Sequence, residues 1–96
     1  MIEVNGSDYR NKIHKIIIEE CLNNDKSKAS YIGKKLKDTK SSYEDLFYVL
    51  QDSKVYITSK INGMNNMLGK INYIFKVLES EVSVINHMNN DIVTDK

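Results

Sequence analysis

The chain has 96 residues and a formal net charge of +1, with 14 basic and 13 acidic residues. This length sets one domain as the upper bound, and the near-zero charge provides no global field that selects nucleic acid or an anionic membrane. Of the 14 basic residues only Arg10 is an arginine, so bidentate guanidinium clamps on phosphate or carboxylate are nearly absent.

Cys21 is the single cysteine, which excludes an intramolecular disulfide and a thiolate-built zinc site. The opening Met1 to Gly6 has neither a basic n-region nor an apolar h-region, so no classical signal peptide is expected. No apolar run approaches the ~20 residues of a membrane span. The expected setting is therefore cytoplasmic, with signal-independent secretion as the other route.

Taken in order, residues 1–6 end in the turn signal Asn5-Gly6 and predict an extended arm. Ser7 is a candidate N-cap, with Asp8 in the first turn, where the helix dipole favours an anion. Apolar residues at 9, 13, 16, 17 and 21 then predict a helix over about residues 8–22. Asn23-Asn24-Asp25 interrupts it with turn formers, so residues 23–27 are either a loop or a weak turn within one longer helix. A second helix is predicted over 28–38, with Ala29, Ile32 and Leu36 on one face and lysines 28, 34, 35 and 37 largely on the other.

Ser41 precedes Glu44 by three residues and Ser42 precedes Asp45 by three, so a capped helix should start near residue 42. From there the spacing Phe47, Leu50, Lys54, Ile57, Ile61, Met64, Leu68, Ile71, Phe75, Leu78, Val82, Ile85 holds a 3-4 rhythm in which Lys54 alone is not apolar. Asn62-Gly63 is a turn signal and Gly69 weakens a helix, but the heptad phase crosses the segment unbroken. A turn there would make a compact four-helix bundle, but the phase favours one helix from about 42 to 90, roughly 70 Å long at ~1.5 Å per residue. The shorter helices reach only about 46 Å even end to end, so part of the seam should need another chain.

The expected fold class is all-α: a helical hairpin with a long second helix that forms a coiled coil or multi-helix bundle. The expected interface residues are Ile57, Ile61, Met64, Leu68, Ile71, Phe75, Leu78, Val82 and Ile85. The partner would be a second copy (a homo-oligomer) or another helical protein. The function expected is that of a protein–protein interaction module: a small assembly subunit, adaptor or inhibitor.

Chemistry-bearing residues are sparse. His14 and His87 lack H-x-x-x-H spacing, and adjacent carboxylates such as Glu19-Glu20 point about 100° apart on a helix. Glycines 6, 33, 63 and 69 match no phosphate-binding or dinucleotide pattern. We expect no enzyme, metal or cofactor. A first alternative is a nucleic-acid- or regulator-binding protein using the Lys26–Lys40 basic patch, with Lys28, Lys34, Lys35 and Lys37 as candidate phosphate contacts. A second is a secreted small helical hairpin. The layout is loosely similar to the small type VII kind, but the chain has no Trp and so lacks that family's W-x-G turn.

Overall fold

A computed structural model describes residues 6–94, with side chains from Asp8 to Asn86. Of the expected arm at 1–6, residues 1–5 lie outside the described residues and Gly6 instead opens the first helix; the side chains of Ser7 and His87 and the last two residues also lie outside. Four α-helices appear in order: α1 (Gly6–Ile16), α2 (Ala29–Asp38), α3 (Tyr43–Ile61) and α4 (Met67–Thr94), with no strand among the described residues. The chain is an all-α bundle.

α1 continues into a π-helical turn, Ile17–Cys21. Ile16, Ile17 and Ile18 are three consecutive β-branched residues, whose stiff side chains crowd the preceding turn of a helix. Widening the ladder there leaves Ile17, Ile18 and Cys21 all buried. The element stops where Asn23 (φ 56°) and Asn24 (φ 64°) take left-handed conformations, which asparagine tolerates better than most side chains. The expected break at 23–25 is thus a real reversal. The start expected near residue 42 is also present: Ser42 caps α3, its Oγ accepting from the Asp45 N–H at 3.1 Å.

The single long helix expected over 42–90 is two helices. α3 ends at Ile61, residues 62–66 form a connection, and α4 starts at Met67. Asn66 supplies the reason. Its side-chain Oδ1 accepts from the Gly69 N–H at 3.1 Å while its carbonyl takes the first helical bond, from Lys70 N–H at 2.9 Å. These bonds satisfy donors that a helix start otherwise leaves without partners.

Heptad phase survives because it records burial, not chain continuity. Ile61 and Ile71 are buried on either side of the connection, and Met64 packs against the same core from within it.

α3 packs against α1 and the π-helical turn on one side and α4 on the other, and α1 packs against α2. Side-chain bonds tie α2 to α4: Tyr31 Oη–H donates to Asn72 Oδ1, and just past α2 Thr39 Oγ1–H donates to Glu79 Oε2, both at 2.8 Å. The described helices therefore enclose a common core that includes Ile13, Ile17, Ile32, Leu36, Leu50, Ile57, Ile71 and Leu78. Each such side chain, fully buried, contributes roughly 1.5–3 kcal/mol before entropy costs.

α4 carries a wider apolar face than a two-stranded seam needs because it meets more than one neighbour. Ile74 and Phe75 are both buried, and Val77 is packed against the same core.

Candidate functional site

The turn at 62–66 changes where the expected interface residues go. Ile57, Ile61, Ile71, Phe75, Leu78 and Val82 are buried within the chain's own core, and Met64 is half-buried against it. Their apolar surface is covered by the chain's own helices, so the length mismatch that called for a second chain does not arise. Two of the nine stay open to solvent: Leu68 at 39% exposure and Ile85 at 46%.

Ile85 belongs to a groove between α3 and α4. One hollow of about 410 Å3 lies among Tyr48, Val49, Asp52, Val82 and Ile85, with Asp45 and Glu81 also lining it. A second, of about 270 Å3, lies among Tyr56, Tyr73, Val77 and Glu81. Glu81 is common to both.

Helical periodicity joins the two hollows. Residues 45, 49, 52 and 56 form one stripe of α3, and 73, 77, 81 and 85 one stripe of α4. Early α3 residues meet late α4 residues, so the pair is antiparallel and the groove follows it for about 16 Å, or three helical turns.

The floor is apolar because Val49 and Val82 reach it from the core. The walls are large and uncovered: Tyr48 is 56% exposed and Tyr56 55%. Tyr48 also stands against an aromatic cluster. Its ring is 5.3 Å from Phe47 and 6.2 Å from Tyr9, and the Tyr9 and Phe47 rings are 5.4 Å apart. Lys12 Nζ lies over both Tyr9 and Phe47, at 5.7 and 5.6 Å. Such contacts hold the rings in place rather than leaving them to swing in water.

Hydrogen bonding to Tyr48 raises the Tyr9 phenol above its ordinary range, and hydrogen bonding to Tyr56 does the same for Tyr73.

The remaining candidates have structural partners or face solvent. His14 Nε2 is 3.0 Å from the Ala29 carbonyl, so that nitrogen carries the proton and ties α1 to the start of α2. Cys21 is buried, and burial is the main cause pushing its thiol above the ordinary range. Lys54, the polar residue in the seam, reaches Glu20 on the π-helical turn at 2.6 Å.

Lys28, Lys34 and Lys37 are exposed and Lys35 is half-buried, with Ile32 and Leu36 of the same element fully buried beneath them. Among the described residues no group of three or more His, Cys, Asp or Glu is placed to hold a metal ion, and no helix is long and apolar enough to cross a membrane.

The groove was hidden from sequence reasoning. Its tyrosines lie outside the heptad seam, and Tyr48 meets Ile85 only because the chain doubles back. No family model matches the chain, and neither a curated protein nor a solved structure matches it.

Proposed function

We propose that the protein is a helical interaction module, an adaptor or inhibitor that works by receiving a segment of another protein along the α3–α4 groove. The observation that supports this reading is the pairing of an apolar floor with large uncovered walls. Tyr48 and Ile85 stay about half exposed beside a hollow floored by Val49 and Val82, and Tyr56 stays about half exposed beside the second hollow. Grooves between paired helices that present aromatic and aliphatic walls are where amphipathic helices seat in helix-to-groove recognition. Tyrosine is also the side chain that gives large contact area at small conformational cost. The α2 lysines remain a solvated face in this reading.

The test is a photo-crosslinking amino acid placed at Tyr48 or Ile85 in cells that express the gene natively. The expected result is a discrete protein adduct at these two positions that is missing when the probe stands at Lys37 on the lysine-bearing face of α2. No adduct, or the same adducts from both faces, would refute the reading.

A further inference from the structure

The charge around the groove defines the chemistry of its occupant. Among the described residues, the larger of the two hollows is lined by three carboxylates, Asp45, Asp52 and Glu81, and by no basic residue. Asp45 and Asp52 are seven residues apart, so they stand on the same face of α3 about 10.5 Å from one another. Glu81 faces them from α4. Lys76 lines the second hollow of the groove beside Glu81, and Lys40 lines a further hollow beside Asp45 and Glu79, so the acidic stretch is the part of the groove around Tyr48 and Ile85. The apolar walls, Tyr48 and Ile85, thus lie inside an acidic frame.

We propose that this groove takes a cationic amphipathic helix from another protein, with aliphatic or aromatic side chains between Tyr48 and Ile85 and Lys or Arg beside the three carboxylates. The inference rests on the interaction-module reading and adds the charge of the partner.

A second copy meeting face to face is the poorer occupant. A two-fold contact through this groove would set six carboxylates against each other, and like charges across an interface act against association. The lysine-rich α2 of a second copy is a poor substitute, because its large apolar residues Ile32 and Leu36 are fully buried in its own core.

The experiment titrates the full chain with three helical peptides of about four turns. They share one leucine register and differ only in flanking residues: Lys, Gln or Glu. The Lys-flanked peptide is expected to bind at least roughly tenfold more tightly than the Glu-flanked one, and added salt should shrink that gap. The triple variant Asp45→Asn, Asp52→Asn, Glu81→Gln should remove the preference while leaving the thermal melt in place. Tyr48→Ala with Ile85→Ala should weaken all three peptides.

Equal affinity for the three peptides, lost in Tyr48→Ala with Ile85→Ala, would overturn the cationic partner and keep the interaction module. Binding to none of them would overturn the inference, with the crosslinking result then deciding the broader reading. Self-association of the protein that Ile85→Ala abolishes would replace the proposed occupant with a second copy.

Discussion

Asn66 Oδ1 accepts a hydrogen bond from the Gly69 N–H at 3.1 Å, and this bond begins α4 as a new helix. Because the chain restarts there, the buried apolar residues of 71–82 turn back onto α3 rather than running on as a rod. The cap therefore positions both the core and the groove beside it.

Asn66→Ala should lower stability by about 1 kcal/mol, within the ~0.5–2 kcal/mol range for losing an N-cap. Thermal denaturation reads this as a fall of roughly 4–8 °C for a domain of this size. Gly69→Ala is the control. An added Cβ would meet Met64 Cε at 3.4 Å, the far end of a flexible side chain, so the melt should hold or rise slightly.

The buried and exposed members of the heptad seam should separate cleanly. Leu78→Ala empties a fully buried site and should cost about 2–5 kcal/mol by urea titration. Ile85→Ala changes a residue that is 46% exposed and should stay within about 1 kcal/mol of wild type. If the two cost the same, the division between core and groove drawn here would be wrong.

Much of the fold was legible in the sequence, for identifiable reasons. Ser42 announced the start of α3, and Asn23-Asn24-Asp25 marked a break after the first helical element without deciding between a loop and a weak turn. Apolar spacing marked Ile57, Ile71, Phe75 and Leu78 as positions that pack, and they are buried, in the chain's own core.

The same spacing concealed the turn at 62–66. A core that gathers residues from two antiparallel helices and the loop between them can read as one unbroken heptad run. The signal Asn62-Gly63 points to that turn, but the unbroken phase argues for continuity, and nothing in the spacing marks Asn66 as a cap. The π-helical turn had only the Ile16–Ile18 run as a sequence sign. The groove had none, since it depends on which residues the turn brings together.

Cys21 should resist modification in the folded chain. It is buried, and its thiol is pushed above the ordinary range chiefly by that burial. A thiol reagent at pH 8 should react slowly in buffer and fully in urea.

The pH dependence has a definite sign. The folded state favours the neutral thiol, so this contribution is intact below the unfolded thiol pKa of about 8.5 and is lost as pH rises through the folded value. Melting temperature should therefore hold near neutrality and decline above about pH 8.5. Cys21→Ala should flatten that decline below about pH 10, where the tyrosines begin to titrate.

The Lys54–Glu20 pair, at 2.6 Å, is partly exposed on both sides. Exposed ion pairs contribute about 0–1 kcal/mol. Glu20→Gln should therefore shift the melt only slightly, and that shift should shrink further in high salt. A loss of several kcal/mol would instead mark the contact as part of the buried core.

The central claim is that a single chain covers its own apolar seam and leaves the α3–α4 groove for a different protein. Light scattering on the purified chain tests this most directly. A mass of 11.1 kDa that does not change with concentration, and is the same for Ile85→Ala, is the result expected. A stable dimer or larger species in the wild type would contradict it.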